Sequence, residues 1–413
     1  MKEPPASGVQ LVTAPPNGNL ARRQEAFDNL MGRVTGRFTR VEPRRRTRKS
    51  VLGVLSGLPR KNCWTITERT GDTTPDGMQH LPGRAKWDAD RSATTYAQAV
   101  LVVDETGDVK KGVDTVGVQR QYTGTAGRIE NSPVAVYLVH AGQRGHAAVD
   151  RELYLPRSWS SDPDRCRAAG LAEKTSLATK PELATRMGAR FLDAGHQVAW
   201  VAGDEVYGGN AKPRTAPEER GSGYVLTVAG SHGAATGAGK FRADTQARKV
   251  PMGAWQKLPA GAGARGHRFH DWAVIDLLAD PRPGSRQLLI RRNYDTGEPA
   301  PYRCYSPPPM PLTELVRVAG SRWRVEETFQ TGKGLAGLEE HQVRRYPSWS
   351  RRVTLALLAH AFLAVARADE HARSPGPTDL IPLSRNEIQR LFTTCLLFTP
   401  IPAHRSRSRA TAD

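Results

Sequence analysis

Cysteine is scarce: Cys63, Cys166, Cys304 and Cys395 are the four in 413 residues, far apart and without a C-x-x-C pair. That spacing excludes a zinc ribbon and argues against a disulfide framework, so free thiols are expected. Long apolar runs are missing too. The most apolar stretch, Leu355 to Ala366, contains a histidine and sits between Arg352 and Arg367. A bilayer span needs about 20 apolar residues, so this stretch reads as a core helix and no membrane partner is expected. The first residues, MKEPPASGVQLVTAPPNGN, hold no apolar core followed by a cleavage site. A secretory leader is therefore not expected, and the reading is of a cytoplasmic protein. Lysine is the sparse cation, with 13 against 47 arginines.

What is present is mostly ordinary. Hydrophobic residues make up 38% of the chain, enough for a sizeable core, and the length suggests two or three domains. The charge is not ordinary. Sixty Lys and Arg against 41 Asp and Glu give a net +19 and a pI near 10.2. Codon bias accounts for Arg replacing Lys; it does not account for the excess. A chain this basic implies a polyanionic partner, most often nucleic acid.

The texture of the sequence divides the chain. Residues 1–20 are rich in Pro, Gly and Asn and read as disordered. Residues 21–95 read as a small helical, basic DNA-binding domain: Arg44, Arg45 and Arg46 precede an apolar stripe of Val51, Leu52, Val54 and Leu55. Thr74 to Leu81 looks like a capped helix start. A helix-turn-helix is compatible with these pieces, and so is a plain solvated basic face. From 96 to 212 the pattern becomes mixed α/β. Ala97–Asp104 (AQAVLVVD), Ser132–His140 and Gln197–Asp204 (QVAWVAGD) are buried-strand runs, Val113–Tyr122 reads as a further strand, and Pro181–Ala194 is an apolar-periodic helix. Residues 213–305 read as a β-rich insertion, 306–375 as helical, and 376–413 as a tail ending in HRSRSRATAD.

Two acids end buried-looking strands: Asp104 in LVVDETG and Asp204 in VAGDEVYGG. Ligands gather outside the carboxyl ends of strands in α/β sheets. Two carboxylates meeting there repel unless a cation sits between them or one holds a proton, and hard oxygen ligands suit Mg²⁺ or Mn²⁺. Taken singly, each acid is as well explained by a turn or helix cap. A third acid changes the balance. In TELVRVAGSRWRVEETFQTGK, helical from Leu312 to about Gln330, Arg322 and Glu326 lie about 40° apart at roughly 100° per residue, and Lys333 falls on the same face. The bland alternative is an i,i+4 surface pair.

These residues, with the strings VVDETGDVKKG, QYTGTAGRIENSPVAVYL, AGDEVYG and RWRVEETFQTGKG, make the chain resemble the DDE transposases of bacterial insertion sequences, over about Arg37 to Ala368. The resemblance implies an α/β fold: an RNase H-like mixed sheet with flanking helices, a β-rich insertion and the helical N-terminal DNA-binding domain. It implies that Asp104, Asp204 and Glu326 are catalytic and hold two Mg²⁺ or Mn²⁺ ions, with Glu327 the lesser alternative for the third carboxylate. Arg322 and Lys333 match the family's basic partners on the helix, and Lys110 and Lys111 follow the first acid as phosphate contacts. The implied partners are double-stranded DNA, as terminal inverted repeats and target, and a second copy of the chain on that DNA. The implied setting is a bacterial cytoplasm, with the protein on the nucleoid when bound. A DNA-binding relative without catalysis, and a metal-dependent nuclease without strand transfer, are the competing readings.

Other motifs fail their context. Gly261–Gly266 spells G-x-G-x-x-G but leads into a strand-like run, not the helix a dinucleotide site needs. His267 and His270 lack a second pair of metal ligands. Thr331–Gly334 lacks the earlier glycine of a phosphate loop.

Overall fold

The computed structural model describes residues 16–36, 38, 40–83, 99–172, 178–237, 239–263, 266–278, 281–373 and 383–398. The proline-rich start, the junction expected near residue 95 and the last 15 residues lie outside them. Four helices come first: α1 (Pro16–Thr35), α2 (Val41–Leu55), α3 (Cys63–Arg69) and α4 (Asp76–Gly83). Next are β1 (Val100–Gly107), the hairpin β2 (Gln119–Thr123) and β3 (Arg128–Ser132), then β4 (Val134–Gly142) and β5 (Gly145–Tyr154). Helices α5 (Arg157–Ser160), α6 (Pro163–Ala168) and α7 (Lys180–Asp193) lead to β6 (Trp200–Gly203). Helices α8 (Glu205–Gly208) and α9 (Lys212–Glu219) lead to β7 (Gly223–Thr227).

The next segment carries β8 (Gly233–Thr236), β9 (Gly239–Arg242), α10 (Ala243–Lys249), β10 (Gln256–Gly263), β11 (Gly266–Asp276), β12 (Ser285–Arg292) and β13 (Pro299–Ser306). Helices α11 (Leu312–Ser321), α12 (Trp323–Ala336), α13 (Tyr346–Arg373) and α14 (Arg385–Phe398) complete the described chain.

Nine strands form one mixed sheet in the order β10-β11-β12-β13-β7-β6-β1-β4-β5. Strands β1, β6 and β7 run parallel, and β4 and β5 are antiparallel additions beside β1. Val100–Val103 are buried on both faces of β1, as a β-branched run between helical layers requires. Helix α7 starts where Thr179 and Glu182 form a reciprocal capping box with Pro181 in the first turn, which satisfies two otherwise orphaned amides. The chain is therefore the α/β protein expected, a large mixed sheet with flanking helices.

Several elements differ from the sequence reading. The run Val113–Tyr122 is a strand only from Gln119, in the separate β2–β3 hairpin. Strand β7 belongs to the parallel core, paired to β6, so the insertion begins after Thr227 and not at 213. Its strands do not build a separate domain: β13 pairs with β7 and continues the same sheet. The helix expected over Leu312–Gln330 is two helices meeting at Arg322. The stretch read as a tail contains α14.

Helices α1–α4 share one apolar core with α13, α14 and the sheet, through Phe27, Val51, Val54, Ile66 and Leu81. Phe27, Phe362 and Phe392 pack ring on ring at 5.0–5.5 Å between centroids, joining α1, α13 and α14. Edge-to-face and tilted pairs of this kind hold beyond their buried area.

Candidate functional site

Three acids reach one end of the sheet from three elements. Asp104 lies in the second half of β1, where its Oδ1 accepts the Glu105 N–H at 2.8 Å. Asp204 caps α8 immediately after β6, its Oδ1 accepting the Val206 N–H at 2.9 Å. Glu326 stands in the first turn of α12. Because β1 and β6 are adjacent and parallel, their carboxyl ends deliver the first two acids side by side. The α8 turn can settle against β7 only because Gly208 has no side chain; an added Cβ would collide with the Thr227 carbonyl.

Arg322 joins the set. Its guanidinium is 3.4 Å from Asp104 Oδ2 and 3.5 Å from Glu326 Oε1, loose contacts held by charge more than by hydrogen-bond geometry. The break between α11 and α12 falls at this residue. Burial, and next the neighbouring Asp204, push the Asp104 carboxyl up to about 7, against the opposing pull of Arg322. Burial and Glu105 likewise raise Asp204. Crowded carboxylates with raised proton affinity are what one cation too few produces.

The donor set tests whether a divalent ion fits. All three acids offer oxygen, as Mg²⁺ or Mn²⁺ prefers, and the Asp104–Asp204 pair carries the unbalanced charge. Among the described residues no three His, Cys, Asp or Glu side chains are already grouped to hold a metal ion; Arg322 stands between Asp104 and Glu326. The oxygen donors of the pair fit a hard cation, and the Arg322 guanidinium occupies the space between Asp104 and Glu326. A consequence follows for pH. An acid whose folded pKa is raised costs stability as pH climbs from the ordinary carboxylate range through that pKa. Buried histidines held neutral pull the other way as pH rises, so the Asp104 effect is read from the metal: Mg²⁺ or Mn²⁺ should raise the melting temperature more at pH 8 than at 5.5. Thermal scans giving equal shifts at both pH values would remove this account of Asp104.

Glu327 faces elsewhere. Its Oε2 lies 3.2 Å from His146 Nε2, and that hydrogen bond holds its carboxyl low. The other sequence candidates divide. Lys333 donates to Gly107 O at 3.2 Å and Thr125 Oγ1 at 2.9 Å and pairs with Glu339 at 2.9 Å. Lys110 Nζ donates to the carbonyls of Glu339 and His341, each at 2.9 Å. Both ammonium groups thus tie the loop after α12 to the end of β1. Lys111 is exposed, as are Arg44 and Arg45, with Arg44 Nε donating to Phe38 O at 2.9 Å; Arg46 is half-buried beside Gly77.

Sequence reasoning missed Glu105, Lys180, Tyr207 and Arg268. Glu105 accepts from Lys180 Nζ at 2.6 Å and from the Tyr207 hydroxyl at 2.5 Å, so one side chain braces β1 against the α8 turn that carries Asp204. The doubled acid in VVDETG was the visible trace of this. Arg268 arrives from β11, its guanidinium 4.8 Å from the centroid of Trp323, a cation–π contact that no linear pattern announces.

Comparison with known proteins adds three findings. The sequence matches the family described as DDE superfamily endonuclease over residues 33–257, just over half of the chain. It is 28% identical over 194 residues to the probable transposase for insertion sequence element IS701 of Microchaete diplosiphon, covering 44% of this chain and 48% of that protein. The chain thus spans about half the length of the curated relative it matches. A cryo-EM structure of a piggyBac transposase synaptic complex with hairpin DNA aligns with 92% of this chain and 79% of its own, at 10% identity and a TM-score of 0.44.

Proposed function

Because the chain belongs to the DDE superfamily endonucleases, we propose that it is a transposase that cuts DNA at the ends of an insertion sequence and joins those ends to target DNA. The observation that carries this reading is the convergence of Asp104, Asp204 and Glu326 around the Arg322 guanidinium. In this reading the three acids hold two Mg²⁺ or Mn²⁺ ions on an RNase H-like sheet. Such ions supply Lewis-acid stabilisation to an in-line displacement at phosphorus and a nucleophile at neutral pH.

The remaining work belongs to the side chains of the chain. Arg322 exchanges its two carboxylates for two oxygens of one phosphate, the bidentate partner a guanidinium favours. Glu105, held by Lys180 and Tyr207, keeps the two aspartates at fixed separation. Lys333 and Lys110 fix the loop bordering the site, and Lys111, Arg44, Arg45 and Arg46 contact the DNA backbone. Two element ends require two such sites, so a homodimer on DNA completes the assembly, on the bacterial nucleoid.

The test is a duplex carrying the element's terminal inverted repeats, incubated with the protein and Mn²⁺. Cleavage at the repeat boundary and covalent joining to a second duplex are expected. Cleavage without joined products would leave a nuclease, and intact DNA would leave a binding protein.

A further inference from the structure

The β2–β3 hairpin is pinned to the acidic end of the sheet and leaves one face open to solvent. Its inner face sets Thr123 and Ser132, 2% and 0% exposed, against Gly107 at the end of β1. A side chain at position 107 would strike the Thr123 hydroxyl, so this glycine lets the hairpin seat. In the turn, Thr125 Oγ1 donates to Gly107 O at 2.9 Å and accepts from Lys333 Nζ at 2.9 Å. Gly107 follows Asp104 by three residues on β1, and Lys333 shares α12 with Glu326. The hairpin is therefore fixed to the two elements that carry the first and third acids.

Alternation along each strand turns the other side chains outward. Arg120 and Tyr122 share the outer face of β2, and Ile129 stands opposite Tyr122 on β3. Tyr122 is 64% and Ile129 57% exposed, and Arg120 is exposed as well. The Asn131 amide, opposite Arg120, donates to the carbonyls of Lys110 and Gly112, each at 2.9 Å. That contact sets the exposed Lys111 at the same edge. Glu130 lies on the inner-facing set and pairs with Arg128 at 2.8 Å, so no carboxylate of the hairpin interrupts the outer face.

Apolar surface in water gains only when something covers it, and the surroundings here select a polyanion with an apolar interior. A two-stranded ribbon fits the major groove of B-DNA, about 12 Å wide. Within it a guanidinium pairs with a guanine edge, and an aliphatic side chain meets a thymine methyl. Strands of five residues reach about 17 Å, on the order of five base pairs at ~3.4 Å each. Along β1, Gly107 is about 10 Å from Asp104 at ~3.3 Å per residue. A duplex whose scissile phosphate sits at the acids therefore passes the ribbon within its first few base pairs.

We propose that the β2–β3 ribbon lies in the major groove at the tip of the element end and reads its outermost base pairs through Arg120, Tyr122 and Ile129. The inference rests on the proposed action on DNA ends.

The experiment titrates the full-length protein, without divalent ions and at fixed salt, with two duplexes. One ends in the intact terminal inverted repeat, and the other has its outermost few base pairs scrambled. The wild type should prefer the intact end. Arg120→Lys keeps the charge and loses the guanidinium fork, so it should cut that preference by roughly tenfold and leave the scrambled duplex within about twofold. Tyr122→Ala and Ile129→Ala, at exposed positions, should also lower the preference, with melting temperature unchanged. Equal affinity of the wild type for both duplexes, equal losses on both in the variants, or an unaltered preference in all three variants overturns the proposal. Cleavage with Mn²⁺ separates it from the catalytic reading. Asp104-dependent cleavage beside an unaltered end preference would sink the ribbon alone. A preference lost in the ribbon variants, with no cleavage by any protein, would sink the catalytic reading alone.

Discussion

Asp104→Asn is expected to lower cleavage of repeat-end DNA by on the order of 10³-fold while leaving DNA retention unchanged. The substitution preserves shape, and the Glu105 N–H keeps its acceptor at Oδ1. What disappears is one negative charge at a buried point where cations and a phosphate must be balanced, the kind of preorganised electrostatics that carries two to three decades of rate. Asp204→Asn and Glu326→Gln should fall in the same class. Glu327→Gln should not: its carboxylate is turned to His146, so cleavage should stay within about tenfold. The neighbouring pair makes a sharp comparison, since both variants sit on the same turn of α12. A Glu326→Gln enzyme with full activity beside a dead Glu327→Gln would reverse the assignment of the third acid. Retention should keep its salt dependence in every variant, because the proposed phosphate contacts at Lys111, Arg44, Arg45 and Arg46 are untouched.

Glu218→Ala should destabilise the protein by roughly 2–3 kcal/mol, the cost of taking a charged acceptor from buried donors. Glu218, in the last turn of α9, has its side chain 8% exposed, pairing with Arg286 at 2.7 Å and Arg282 at 3.1 Å and accepting from the Tyr224 hydroxyl at 3.0 Å. Its removal takes one carboxylate from the Arg286 guanidinium, 4% exposed, which keeps its hydrogen bond to the Arg282 carbonyl. That group also links the parallel core to the inserted strands, since Tyr224 is in β7 and Arg286 in β12. Urea unfolding should show the midpoint drop. The exposed pair Arg220–Asp193 supplies the control, where Asp193→Ala should leave the midpoint nearly unchanged. Similar losses for both would mean that Glu218 is solvated.

How much of this was legible in the sequence depended on what each element buries. Strand β1 was plain because a β-branched run buried on both faces has no other reading, and α7 because its capping box and apolar period agree. Strand β5 was not singled out. Its residues alternate buried and half-exposed, and GHAAVDRELY mixes charge into that alternation. Strand β7 was assigned to the β-rich insertion, since a short apolar run does not say which neighbour it pairs with. Asp104 and Asp204 were singled out by position at strand ends, and Glu326 by the helical face it shares with Arg322. The brace of Glu105, Lys180 and Tyr207 was not, because its members are 75 and 102 residues apart and converge only once β1 and β6 pair. The break at Arg322 escaped notice because α11 and α12 keep the same helical spacing on both sides of it.

The aromatic trio has a consequence for how the polypeptide is made. Phe27 emerges from the ribosome long before Phe392, and at roughly 5–20 residues per second the wait is tens of seconds. Until α13 and then α14 are made, the first helix can cover its apolar side only against early neighbours such as α2. Every newborn copy therefore passes through a sticky, half-closed stage in which chaperones or a neighbouring nascent chain compete with its own last helix for the same ring.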